Sequence, residues 1–292
     1  MTACIAGLLL AHSLVPHVFA IGSIWESSLP WLVVLVPLIA IGALRRRNLA
    51  SAVAALLLLL AWALLCLPGF TRHHAQVDGR LRVVTHNVSW NNPDPGTTAR
   101  VLSEAAPDLV TLQDVRPDGE PVYAAALHDR LPFQVRLDRD EIWSRWAVHD
   151  TATLDLGEDW PSIHRAVVDL PDGPLVVYAT HLPRPSPFTT RQSRDVLLQR
   201  LAREVAADRA PRLLVAGDLN TGELDTSLAS LSGPGRLRDS AREAANGPSF
   251  TWPAVAPAVA LDHVLARGLR PTAVRVLPAT GSDHRPLLVQ LR

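Results

Sequence analysis

Almost all the charge of this chain lies beyond residue 70. Residues 1–70 hold only Glu26, Arg45, Arg46 and Arg47, out of 28 acidic and 28 basic residues in a chain of 292. The stretch 49–67 is apolar apart from Ser51 and is long enough to cross a bilayer. Residues 29–44 form a second, slightly short apolar run containing Pro30 and Pro37, which membrane helices tolerate. A third, weaker candidate covers 3–24. Its His12, Pro16 and His17 are costly in hydrocarbon unless they face other helices or an interface. A cleaved signal peptide is a poor reading, because no basic stretch leads the run and further apolar runs follow.

The expected organisation is a transmembrane region at 1–70 with about three spans, a polar linker at 71–80 and a soluble domain at 81–292. Arg45, Arg46 and Arg47 sit in the turn between the second and third spans. The positive-inside bias assigns that turn to the cytoplasm. Three spans from an internal N-terminus then deliver the soluble domain to the far side of the membrane.

Beyond residue 70 remain 25 of the 28 basic and 27 of the 28 acidic residues, so the domain is near neutral. That weakens a reading as a non-specific nucleic-acid binder. The chain has no lysine, so cationic contacts fall to arginine, which favours bidentate phosphate contacts. Its two cysteines, Cys4 and Cys66, lie in the apolar region, so the soluble domain has no disulfide framework.

Short runs rich in Val, Leu and Ala recur through the domain, bounded by Gly, Pro, Asp or Arg. They read as strands at 81–88, 108–113, 133–137, 164–170, 174–182, 212–218, 262–266, 272–278 and 286–291. Helical patterns lie between them at 97–106 and 190–208. The latter carries Leu198, Leu201, Ala202 and Val205 on one face. Mixed strands and helices over this length predict one α/β domain.

Polar patches end several of these runs: Thr85-His86-Asn87, Leu112-Gln113-Asp114, Gly217-Asp218-Leu219-Asn220 and Gly281-Ser282-Asp283-His284. Strand ends converging on one sheet edge would gather carboxylates, amides and imidazoles around one point. Metal-assisted hydrolysis of a phosphate ester needs such a set, with carboxylates for a cation and fixed groups for a water. A hard cation such as Mg²⁺ or Mn²⁺ suits oxygen ligands. No Cys-x-x-Cys, His-Glu-x-x-His or Gly-x-Ser-x-Gly spacing points to a zinc site or a serine hydrolase.

These pieces occur together with Ser144-Arg145-Trp146, Thr180-His181-Leu182 and Leu261-Asp262-His263, with the Ser-Asp-His piece near the C-terminus. In that order the chain from about 81 to 292 resembles the endonuclease/exonuclease/phosphatase superfamily, which is DNase I-like. The resemblance implies a four-layer α/β/β/α sandwich with the active site at one edge. It implies Asn87 and Asp114 at the metal, with Asp283 a further metal or water contact. It implies Asp218 as the residue that orients or deprotonates the attacking water, with Asn220 holding it. His284 would contact the scissile phosphate, Asp262 would orient that imidazole, and His181 would face the phosphate. The family usually has Glu where this chain has Asp114, one methylene shorter, so the cation shifts, a water bridges, or metal affinity falls.

Each motif also has a structural reading. Gly217-Asp218-Leu219-Asn220 is good turn chemistry, and His284 is a natural loop cap. His263 and His86 each neighbour a site residue along a strand and so point to the opposite face. Arg145 and Arg165 fit phosphate contacts or structural ion pairs equally well. Trp90 fits either the substrate cleft or an interfacial anchor.

Three functions follow. The first is a membrane-tethered phosphoesterase whose partners are membrane lipids and an extracytoplasmic phosphate ester, lipid-linked in the sharper form. The layout is similar to membrane-bound family members linked to teicoplanin-type glycopeptide resistance, which implies a polyprenyl pyrophosphate or cell-wall precursor. The second is an extracytoplasmic DNase I-like nuclease, disfavoured by the neutral charge. The third is a non-catalytic membrane interaction module, disfavoured by the retained catalytic set.

Overall fold

The computed structural model describes residues 7, 11–16, 20–45, 47–154, 162–186, 194–233 and 235–292. Among these, two helical runs, not three, are long and apolar enough to cross a membrane: Ile21–Arg45 and Leu49–Phe70. The first comprises α1 (Ile21–Ser28), a 3-10 stretch (Leu29–Val34) and α2 (Leu35–Arg45). The second is α3 (Leu49–Phe70), whose first turn is capped by Asn48 through a bond from the Ser51 amide of 3.1 Å. Leu56, Leu60 and Leu64 of α3 stay exposed.

The span expected at 3–24 lies largely outside the described residues. Its described part holds a 3-10 turn, His12–Leu14, rather than a continuous helix. His12 Nδ1 lies 2.8 Å from Glu26 Oε1. Glu26 is fully buried and accepts from the Thr226 amide at 2.9 Å, so α1 docks on the soluble domain. A carboxylate there is satisfied by protein groups, whereas hydrocarbon would leave it unpaired.

The soluble domain runs β1 (Leu81–Asn87), α4 (Pro95–Glu104), β2 (Leu109–Gln113), α5 (Glu120–Leu127), β3 (Phe133–Leu137), β4 (Asp140–Ser144), β5 (Val148–Thr153), β6 (Ser162–Leu170), β7 (Gly173–His181), α6 (Arg194–Ala207), β8 (Leu213–Asp218), β9 (Arg238–Asp239), α7 (Ser240–Ala244), β10 (Asp262–Arg267), β11 (Pro271–Val276) and β12 (Leu287–Leu291). Two six-stranded sheets form, in the orders β11-β12-β1-β2-β4-β3 and β5-β6-β7-β8-β10-β9. Their inner faces meet through Val83, Leu109, Ile142, Val177, Leu214, Val264 and Val289. On one outer face Ala99 and Leu102 of α4 and Tyr123 and Leu127 of α5 cover Val84, Val110 and Trp143. On the other, Leu197, Leu198 and Leu201 of α6 cover Tyr178 and Val215. The result is the expected α/β/β/α sandwich. Strands buried on both faces carry unbroken apolar runs, which is why they were legible.

Five elements were not predicted: β4, β5, β9, α5 and α7. All five residues of β4 are buried although two are acidic.

Register aligns the polar strand ends. In the second sheet Asp262 pairs with Asp218, and His181 pairs with Asp218 on the other side. In the first sheet Asn87 pairs with Gln113, the residue before Asp114. Two glycines permit the close approach. A Cβ on Gly217 would fall 1.9 Å from the Thr180 carbonyl oxygen, and one on Gly281 would fall 1.9 Å from Asn92 Oδ1. No other residue fits at either position without moving its neighbours.

Candidate active site

Asp218 is the hub. Buried at the end of β8, it accepts from Asn87 Nδ2 at 3.0 Å, from the Asn220 amide at 2.8 Å and from Asn220 Nδ2 at 3.3 Å. Asn220 adopts a left-handed backbone, φ 47°, and donates its other bond to the Leu182 carbonyl at 2.7 Å. Asparagine tolerates that conformation better than most residues. His181 Nε2 lies 4.0 Å from Asp218 Oδ2 and 3.5 Å from Asn87 Nδ2.

His284 and Asp262 form a buried dyad, with Nδ1 of the imidazole 2.9 Å from Asp262 Oδ2. Nε2 is 3.7 Å from Asp218 Oδ2. Burial alone would lower the His284 pKa, but the charges of Asp262 and Asp218 outweigh it and push the group up to about 9. Burial opposes ionisation of Asp262, yet the charge of His284 and its hydrogen bond hold this carboxyl below the usual range. Asp218 is raised instead, by burial and then by Asp262, with His284 acting against them. Two carboxyl groups on one imidazole are thus pushed apart, one towards anion and one towards proton acceptor, as acid–base chemistry requires.

Asp114 closes β2 with a left-handed φ of 60° and accepts from the Trp90 amide at 3.2 Å. Its Oδ1 lies 3.7 Å from Arg139, whose guanidinium stacks 4.5 Å from the Trp90 ring. Trp90 therefore stands beside a candidate metal ligand. Asp283 is exposed, and its carboxylate lies 3.4 Å from the Trp252 indole Nε1. The structure thus brings Asn87, Asp218, Asn220, His181, Asp262 and His284 into mutual contact and leaves Asp283 at the rim.

The neighbouring histidines have structural partners. His263 is buried with Nε2 2.7 Å from the Thr221 carbonyl. His86 sits 3.2 Å from Thr280 Oγ1 and is pushed down to about 3 by burial, so it stays neutral. Arg165 pairs with Asp208 at 2.9 Å, and Arg145 lies 3.4 Å from Asp108.

Two positions in contact with the cluster escaped the sequence. Asp140, fully buried, accepts from Ser162 Oγ at 2.5 Å and the Asp114 amide at 3.3 Å. Its Oδ1 is 4.0 Å from His181 Nδ1, so it joins the metal-ligand loop to that imidazole. Burial raises its pKa to about 6. Asp138-Arg139-Asp140-Glu141 reads as a charged turn, which hid both the strand and this role.

The second is Arg194. Only 3% exposed, it donates to the Asn220 carbonyl at 2.8 Å and to Ser23 Oγ of α1 at 2.7 Å, and pairs with Asp225 at 2.7 Å. It ties the Asn220 loop to the apolar N-terminal region. Arg194→Met would leave Asp225 buried without this cation. We expect a stability loss of about 3 kcal/mol or more, seen as a lowered melting temperature. An unchanged melting temperature would remove Arg194 from this role.

Asp114, Asp218 and the Asn87 amide supply oxygens of the kind a hard divalent cation takes, although among the described residues Asp114 lies outside the close group of Asp218, Asp262 and His284. Asp262 Oδ1 is buried without a hydrogen-bond donor among the described residues. Asp218, Asp262 and His284 place ligand atoms within 4.8 Å of one another. The His284–Asp262 bond already uses one side of that trio, so it reads better as a proton-handling dyad beside a metal than as a three-ligand cage.

The sandwich and this edge cluster define the class of protein. The profile of the endonuclease/exonuclease/phosphatase family matches residues 84–284, and the chain belongs to that family. No curated protein matches the sequence. Among solved structures, sphingomyelinase C from Streptomyces griseocarneus aligns at 18% identity and TM-score 0.54, over 72% of this chain and 98% of its own. A mannosyl-6-phosphatase from Bacteroides thetaiotaomicron aligns at 15% and TM-score 0.58, over 73% and 99%. Staphylococcus aureus beta toxin with bound magnesium ions aligns at 13% and TM-score 0.55, over 73% and 99%.

Proposed function

We propose that this protein is a membrane-tethered, divalent-metal-dependent phosphoesterase acting on an extracytoplasmic, lipid-linked phosphate ester. The observation that carries the chemistry is Asp218, a buried carboxylate ringed by Asn87, Asn220 and the His284 imidazole. The observation that carries the location is the docking of the domain at the Phe70 end of α3, with α1 packed beside it. The arginine-bearing segment between α2 and α3 lies at the opposite end of α3 from Phe70. A cytoplasmic arginine turn then puts the domain outside.

Asp114, Asp218 and the Asn87 amide are the residues that would hold Mg²⁺ or Mn²⁺. When bound, the cation neutralises charge on the phosphoryl oxygens. Asp218, raised towards proton acceptance, takes a proton from the attacking water as the new P–O bond forms. Asn220 fixes the Asp218 carboxylate in one orientation. His284, charged at neutral pH, binds a phosphoryl oxygen and absorbs the charge that builds up there. His181 faces the same oxygens from the opposite strand. The leaving oxygen departs in line with the incoming one.

The test is ester cleavage by full-length protein in detergent, with Mg²⁺ or EDTA, on a polyprenyl pyrophosphate, phospholipids and plasmid DNA. Metal-dependent lipid turnover supports the proposal; DNA nicking alone favours the nuclease. Asp114→Ala should lose metal-dependent turnover by at least about a hundredfold. Retained activity would remove Asp114 from the metal site. Protease digestion of intact cells that spares the domain would overturn the orientation.

A further inference from the structure

A cavity of about 280 Å³ separates the ends of the apolar helices from the soluble domain. Pro30, Leu65, Cys66 and Phe70 line its helix side. Phe250, Gly222 and residues 258–260 line its domain side. Charged groups also line it: Glu26, Arg242, and Arg72 ion-paired with Glu223.

Aromatic rings mark the level of this cavity. Trp62 and Phe70, Phe70 and Phe250, and Phe250 and Trp31 pair with centroids 6.0, 6.0 and 5.9 Å apart. Trp31 Nε1 donates to the Ala258 carbonyl at 3.1 Å, binding the apolar region to the loop before β10. Tryptophans with an apolar body and a wet edge collect at the boundary between lipid chains and head groups. The part of the cavity walled by Pro30, Leu65, Cys66, Phe70 and Phe250 favours an apolar occupant.

The domain-side wall also belongs to the catalytic edge. Gly222 lies two residues after Asn220, and Ala260 two residues before Asp262. Asp262 and Asp218 are paired across β10 and β8. At about 3.3 Å per extended residue, the wall is within about 7 Å of chain from the catalytic side chains.

We infer that this cavity takes the hydrocarbon chain of a membrane lipid phosphate and presents the phosphate to the Asp218 cluster. The protein thereby selects long-chain phosphate esters over short ones. This rests on the lipid-linked reading of the active site.

Full-length protein in detergent would be given dodecyl and butyl p-nitrophenyl phosphates. Ala258→Trp and Cys66→Phe fill the cavity from its opposite walls. The wild type should prefer the dodecyl ester, and each variant should lower the dodecyl-to-butyl ratio of kcat/KM at least about tenfold. Each excluded methylene is worth about a factor of four. A wild type without chain preference, or a preference kept in both variants, overturns the inference.

A second arm does not depend on turnover. Hexadecyl phosphate carrying a diazirine would be photolysed with the protein and the labelled peptides mapped. Label on residues 258–260, lost in Ala258→Trp and Cys66→Phe, is the expected result; label confined to α2 and the outer face of α3 overturns it. Cavity label without cleavage of any lipid ester sinks only the substrate reading. Lipid cleavage with no cavity label sinks only the cavity.

Discussion

Asp218→Ala should lower kcat/KM on any ester the protein cleaves by at least about a thousandfold, the combined scale of general-base and electrostatic losses. Three donor groups converge on this carboxylate, from the Asn87 side chain and from the amide and side chain of Asn220. Asp218→Asn keeps the shape but replaces an acceptor with a competing donor, so it should fail as badly. A structural role would show as a lowered melting temperature with KM and kcat nearly intact. Steady-state kinetics beside thermal melting separate the two, and activity within tenfold of wild type in both variants would sink the assignment.

The His284–Asp262 dyad should produce the second largest effect and a distinctive pH dependence. Asp262→Asn removes the charge that most raises the imidazole, leaving burial to lower it. The His284 pKa, about 9 in the metal-free wild type, should fall by more than a unit. Turnover should drop about a hundredfold or more, and the alkaline limb of the profile should move to lower pH. Histidine-selective NMR titration of the metal-free protein would follow the group directly; an unmoved resonance would refute the coupling. The sign for stability is fixed by the direction of the shift. A raised pKa means the protonated dyad stabilises the fold fully below about 6.5, the ordinary histidine value. That contribution is lost as pH rises through about 9. The melting temperature of the metal-free wild type should therefore fall over that window, and that of Asp262→Asn should fall much less.

Much of the fold and of this site was legible in the residue order. The strands of both sheet centres are rich in Val and Leu because each is buried on two faces. Polar motifs at their ends follow from the same cause: the chain turns polar where it leaves the core. Asp218, Asp262, His284, His181, Asn87 and Asn220 were all visible as such interruptions. The neutral charge and the apolar first 70 residues likewise needed no coordinates.

What tertiary structure alone decided is the fate of charge in unexpected places. Asp140 and Glu141 look like a solvated turn, yet β4 buries both, because Ser162 and the Asp114 amide satisfy one and the Trp143 indole the other. His12 looks like a flaw in a membrane span, yet it pairs with Glu26, which accepts from the Thr226 amide across more than half the chain. Arg194 looks like the start of a surface helix, yet it joins Ser23 to Asn220. The physical reason is common to all three. A patterned sequence reveals how much apolar surface a segment must hide, whereas the burial of a charge depends on partners that only the folded chain brings together.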